Sequence, residues 1–355
     1  MRLDSSVPKI NPADGGRCGG GGLSFCSVQE GAARFLQGRA GKALIVAESG
    51  AFSAMLPAVR APHTLSAMWE GDALPLFALP EAGCVLAAGG AEVLKAARFF
   101  AAVRGIPCAL FPAEAAFDGV LSARGEVTVG GNRIRVPLAA GEVFCDPAFL
   151  RPSLSEGYAR LMLARLARFE EKAVGLICRR AWGGEGYEEA FSLSEMRGEL
   201  SPEEIVRRNA RLRMLEEEGV PQGEGMRLEG SAYTRWQALC ALYLAFFAKG
   251  RPRRYAVPDY AARAERAHVP YASLQIPSRE EYAARALRLE RARGELLAEL
   301  RAVTARKSAY ERALRAYAPV PTGKPDLTIL KILPERAGDG LCAVIRDFGL
   351  MDWEI

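Results

Sequence analysis

Along the first 150 residues, short apolar runs alternate with stretches of helical spacing. Val28–Leu36 carries apolar positions at helical intervals. "KALIVAES" is a compact apolar strand, and a helix follows near Phe52–Val59. "HTLSAMWEG" predicts a second strand, "CVLAA" a third and "PCALFP" a fourth, with a helix over Glu92–Val103 between the last two. Repeated strand–helix alternation with short connections predicts a mostly parallel sheet with helices on both faces. Residues 120–146 differ, because "GEVTVGGNRIRVPLAAGEVFCD" holds two alternating runs around Gly130–Gly131 and predicts a β-hairpin.

From about Pro152 the pattern turns to Ala, Leu, Arg and Glu at helical spacing. Ser201-Pro202-Glu203-Glu204 has the cap, the first-turn proline and the capping-box acid of a helix start. Ser278-Arg279-Glu280-Glu281 opens a long helical stretch reaching about Tyr317, and Trp236–Phe247 predicts a core helix closed by Gly250. "RRAWGGEGYEE" (179–189) lacks a preceding strand and is expected to be a flexible interdomain loop. The expected architecture is an α/β N-terminal domain (1–150) with a Rossmann-like parallel sheet and a β-hairpin, then an all-α domain (151–355). A chain of 355 residues exceeds what one core accommodates, which fits two domains.

Composition narrows the function classes. The chain is 50% hydrophobic and 25% charged, as globular proteins are. No apolar run approaches a membrane span, and "MRLDSSVPKINPADGG" has no apolar core of a secretion signal. The eight scattered cysteines form no CxxC pair, so buried reduced thiols and a cytoplasmic location are expected. A net charge of +5 permits anionic ligands without arguing for nucleic acid. Only two histidines are present, His63 and His268, which nearly excludes a metal site built on several imidazoles.

Candidate chemistry gathers at the turn Gly89-Gly90-Ala91 between a strand and a helix, where backbone amides and the helix N-terminus suit a pyrophosphate. Two glycines also serve tight packing. The helix pattern puts Val93, Leu94, Ala97 and Ala101 on the sheet face and Lys95 and Arg98 on the other, within reach of Glu92. Glu48 ends the first strand, where a carboxylate accepts from an adenosine ribose or is simply a loop acid. "KGRPRRY" (249–255) concentrates four cations, either for a phosphate-bearing ligand or for solvent.

The spacing of "AAGGAEVLKAAR" and "PAEAAFDGVLS" resembles the glycerol-1-phosphate dehydrogenases, relatives of 3-dehydroquinate synthase and glycerol dehydrogenase in the iron-containing alcohol dehydrogenase superfamily. Gly89, Gly90, Ala91, Pro112, Ala115, Asp118, Gly119 and Ser122 fit the family pattern. Lys95 stands at its Asp, Arg98 at its Lys, and Ala113-Glu114 at its Thr-Ala pair. "VFCDPAFLRPSLSEGYARLMLARLA", "RAHVPYASLQIPSREEYAARAL" and "AVIRDFGLMDW" extend the resemblance collinearly. It implies a dehydroquinate synthase-like fold, with NAD or NADP in a cleft between the domains at Gly89, Gly90, Ala91, Glu48 and Ser122. It also implies a divalent metal held by one acid and two histidines.

Arg160 occupies the place of that acid in "SEGYARLM", and Tyr233 is the nearest fit to the first histidine. The metal is therefore expected to be absent and the metal-dependent chemistry lost. Arg160 reads either as a guanidinium mimicking part of the cation's charge or as a solvated or salt-bridged helix residue, paired with Glu156. Asp118 reads either as a contact to substrate hydroxyls or as a turn aspartate before glycine. Two functions follow: a glycerol-phosphate or polyol oxidoreductase with an altered mechanism, or a non-catalytic binder of a small anionic or polyol ligand or of a partner. A metal-dependent cyclase similar to 3-dehydroquinate synthase fits less well. Homo-oligomerisation is left open.

Overall fold

The computed structural model describes residues 23–39, 41–55, 64–184, 186–196, 198–228, 230–249, 255, 260–262, 264–265, 268–318, 334, 337 and 339–348. The glycine-rich lead-in, His63 and residues 250–254 of the basic stretch lie outside them. The chain forms two compact units, Met1–Pro112 with Gly119–Asp146, and Ala113–Asp118 with Pro147–Ile355.

The first unit is a six-stranded parallel sheet in the order β1 (Ser24–Phe25), β8 (Glu142–Cys145), β5 (Cys108–Pro112), β4 (Cys84–Gly89), β2 (Ala43–Ala47) and β3 (Thr64–Met68). Every residue of β2, β4 and β5 is buried, as central parallel strands covered on both faces require. Helices α1 (Val28–Leu36), α2 (Ser49–Met55) and α3 (Ala91–Arg104) connect or flank the strands. Ser27 caps α1 by accepting from the Glu30 N–H at 3.2 Å. Strands β6 (Arg124–Val129) and β7 (Asn132–Pro137) form the expected hairpin around Gly130–Gly131. Asp72 holds that turn, accepting from the Gly130 and Gly131 amides at 2.9 and 2.7 Å. The next strand, β8, leaves the hairpin and joins the main sheet beside β5. Its four residues follow the hairpin after a short link (138–141) and read in the sequence as its continuation.

One expectation for α3 is corrected. Arg98 does not lie on an outer face; only 3% of it is exposed. Its guanidinium donates to the carbonyls of Ala139 (2.7 Å), Gly119 (2.9 Å) and Ser122 (2.6 Å). Lys95 is not on an open face either: its side chain is 16% exposed, lies against Gly119 and Gly125, and pairs with Glu92 at 2.5 Å. Periodicity alone cannot foresee a buried cation whose donors all meet carbonyls of another segment.

Among its described residues the second unit is helical. It is centred on α5 (Leu154–Cys178), against which α6 (Tyr187–Ser194), α7 (Pro202–Glu217) and α8 (Ala232–Lys249) pack. The set is completed by the short α4 (Pro147–Leu150), α9 (Arg279–Ala305), α10 (Lys307–Arg315) and α11 (Gly340–Phe348). Ser201 and Ser278 cap their helices as expected, accepting from the Glu204 and Glu281 amides. Trp236, Phe246 and Phe247 put α8 into the core. The long stretch after Ser278 is two helices. Near the break, the Thr304 hydroxyl bonds back to the carbonyls of Leu300 and Arg301, an interaction that bends helices. Residues 179–189 are not an interdomain loop, since they lie within the second unit, where Trp182 meets Tyr187 edge-on at 5.8 Å.

The seven described cysteines are free thiols, five of them buried. Among the described residues, no helix is long and apolar enough to cross a membrane.

Candidate functional site

Helix α5 begins at Ser153, whose hydroxyl accepts from the Ala115 amide at 2.9 Å and donates to the Leu150 carbonyl at 2.9 Å. One turn later, a Cβ built on Gly157 stands 2.7 Å from the Ala115 side chain. Only glycine lets the segment 113–118 lie this close to the helix. The buried Asn209 amide ties α7 to the same place, donating to the Gly157 carbonyl at 2.9 Å. These contacts bring Asp118, on the segment, within reach of Arg160 on α5 and of Arg213 and Glu216 on α7.

The four charges alternate in sign. Arg160, 3% exposed, donates from Nη1 to Asp118 Oδ1 at 2.5 Å and from Nη2 to Glu216 Oε2 at 3.1 Å. Arg213 donates to Glu216 at 2.7 Å and also pairs with Asp118 Oδ1. Glu216 is 7% exposed at its side chain and Asp118 is 38% exposed. Burial draws the Arg160 guanidinium below its ordinary value and the Glu216 carboxylate opposes that shift. An arginine still stays protonated, which is why this residue type tolerates such a place. The two residues singled out from the sequence as catalytic candidates are thus direct partners. Glu156 is not the partner expected for Arg160. It accepts instead from the Ala232 amide at 2.9 Å and from Arg235 at 3.3 Å.

These groups wall a cavity of about 420 Å³ whose charged lining is Glu114, Asp118, Glu156, Arg160, Arg213 and Arg235. Arg213, Glu216 and Arg235 were not singled out from the sequence. Their one signal was helical spacing that aims charge at the Asp118–Arg160 region, and it is visible only once the helices are placed. Tyr233 is not part of the lining. Its hydroxyl donates to Glu311 at 2.5 Å and accepts from Gln237 at 2.8 Å. The Met226 side chain does line the cavity.

These residues do not fit a divalent cation. Asp118 and Glu156 are already engaged by arginines, and a metal beside Arg160 meets a fixed positive charge. Among the described residues, no group of three His, Cys, Asp or Glu side chains is arranged to hold a metal. His268 sits in a loop with φ +53°, its amide bonded to the Glu265 carbonyl.

In the first unit, Gly89 has φ +143°, in the range that favours glycine. A Cβ there stands 2.7 Å from Val93 and 2.9 Å from Glu48 Oε2, so the Glu48 carboxylate lies against the turn. Gly90 is the N-cap of α3 and offers no side chain to cap its first amides. Glu48, Gly89, Gly90 and Ala91 are thereby brought together. Ser122 is placed by its carbonyl, which Arg98 binds.

A second cavity in the helical unit, about 450 Å³, is walled in part by Glu170, Glu171, Arg180 and Glu224. The Glu170 carboxylate accepts from the Tyr243 hydroxyl and from the Glu224 amide, both at 2.7 Å. Burial, with the Glu224 charge alongside, pushes its pKa up to about 8.

No protein-family profile matches the sequence, and neither does any curated protein. Solved structures do resemble the chain. A probable glycerol dehydrogenase from Sinorhizobium meliloti is 15% identical, covering 79% of this chain and 97% of its own, with a TM-score of 0.46. An iron-containing alcohol dehydrogenase from Thermotoga maritima is 10% identical, covering 92% and 95%, with a TM-score of 0.44. A 2-deoxy-scyllo-inosose synthase is 12% identical, covering 88% and 85%, with a TM-score of 0.43.

Proposed function

We propose that this chain is a ligand-binding protein on a dehydrogenase-like scaffold, in which a buried guanidinium has taken the place of a catalytic metal. The observation that carries this reading is Arg160, held at 3% exposure between Asp118 and Glu216. A metal in such enzymes polarises a substrate oxygen as a Lewis acid. Arg160 supplies charge but no empty orbital, and its two terminal nitrogens are each committed to a carboxylate. The cavity it lines takes a small polar ligand of polyol or oxyanion type. The resemblance of "SEGYARLM" to the segment that carries a metal-ligating acid supports the substitution.

In the same reading the Gly89-Gly90-Ala91 turn keeps a dinucleotide seat. The free first amides of α3 face a pyrophosphate, and Glu48 accepts from the adenosine ribose. A carboxylate there favours a free 2′-hydroxyl, hence NAD over NADP. The test is a thermal-shift and calorimetric titration of the purified protein with NAD(H) and NADP(H), alongside metal analysis. The reading expects NAD(H) binding that Glu48→Ala weakens, no stoichiometric zinc or iron, and no polyol oxidation on adding either metal. Stoichiometric metal, or failure to bind any dinucleotide, overturns it.

A further inference from the structure

Two arginines converge on one oxygen in the first cavity: Arg160 Nη1 and an Arg213 terminal nitrogen both meet Asp118 Oδ1. A carboxylate clamped by two guanidiniums is the arrangement by which proteins recognise a ligand oxyanion. Here the anion belongs to the chain itself. We propose that the Arg160–Arg213 pair is an oxyanion seat occupied by Asp118 in the resting chain, from which the carboxylate or phosphate of a small ligand displaces it. This rests on the reading that the cavity takes a ligand rather than a metal.

Three features make Asp118 a removable occupant. Its side chain is 38% exposed, so the carboxylate can rehydrate without crossing the core. The neighbouring Phe117 has φ +63°, an uncommon conformation for a bulky residue, and its ring is buried to 1%. The segment is thus held in a conformation of raised energy that its anchors must maintain. Finally, both arginines also hold Glu216, which is 7% exposed and so a fixed partner. When Asp118 leaves, the guanidiniums keep their orientation and the seat is preorganised for the incoming anion. Exchanging the carboxylate for another singly charged oxyanion leaves the charge between the two guanidiniums unchanged. The ligand class that follows carries an oxyanion head.

The test is calorimetric titration of the full-length chain with inorganic phosphate and with acetate, before and after Asp118→Ala. The variant is expected to bind at least one of the two at least tenfold more tightly than the native chain. Adding Arg213→Gln to Asp118→Ala is expected to remove that gain. Whichever ion gains more identifies the head group as phosphate or carboxylate. If Asp118→Ala does not fold, Asp118→Asn keeps the shape, drops the charge and is expected to rank the same way. No gain in the folded variant, or a gain that survives loss of Arg213, overturns the proposal. Stoichiometric metal on the native chain is a different failure, because it removes the ligand-binding reading itself.

Discussion

Replacing Arg160 by Met tests the energetics of the charge ring. The substitution preserves volume approximately and deletes the guanidinium that Asp118 and Glu216 share. Breaking a buried ion pair from one side costs about 3–5 kcal/mol, because the remaining charge is stranded. Two structural facts place Arg160 at the lower end. Arg213 still touches both acids, and Asp118 is exposed enough for water to screen it. Glu216 at 7% exposure is not screened by water and keeps only the Arg213 guanidinium as a charged partner. The expected loss is therefore about 3 kcal/mol, read as a fall in the urea midpoint at neutral pH with an unchanged denaturant slope. The double variant Arg160→Met/Glu216→Gln should be more stable than the sum of the single losses predicts. A single variant within about 0.5 kcal/mol of the native chain, the usual range for surface changes, refutes the buried-ring account. So does strict additivity in the double variant.

Glu170 gives a pH signature. Its pKa is raised to about 8 in the fold, so the folded state holds a proton that the unfolded chain has released at neutral pH. Its contribution to stability is complete below the ordinary carboxyl range and is lost as pH rises towards 8. The native chain should lose up to about 1.4 kcal/mol per pH unit from this group between pH 5 and 8. Glu170→Gln should flatten that part of the curve, so that variant and native diverge as pH rises; parallel curves contradict the assignment. Arg98→Met strands three carbonyls in the first unit and should cost about 3 kcal/mol or more, measured by thermal or urea unfolding. An Arg98→Met melt indistinguishable from native shows that the clamp is dispensable.

Much of the fold was legible because its signals are local. The fully apolar runs of β2, β4 and β5, the serine caps of α7 and α9 and the Gly130–Gly131 turn each declare their element within a few residues. Strand β8 was hidden, because four residues after a hairpin carry too little pattern to reveal a change of sheet. At the site, sequence spacing singled out Asp118 and Arg160 separately but not their pairing. Forty-two positions separate them, and a salt bridge over that distance leaves no periodic trace. The nearby Glu156, one turn away on α5, was the natural guess, but it is drawn to Ala232 and Arg235 at the start of α8. Arg98 was misplaced for a related reason: a helix pattern assigns a cation to solvent unless the carbonyls waiting for it are known.

The most direct test of the guanidinium-for-metal claim is metal content. The full-length protein, incubated with excess Zn²⁺ or Fe²⁺ and desalted, is analysed by elemental mass spectrometry beside Arg160→Met. The account predicts far less than one metal ion per chain in the native protein. One tightly held ion per chain in the native protein, with Arg160 intact, contradicts it.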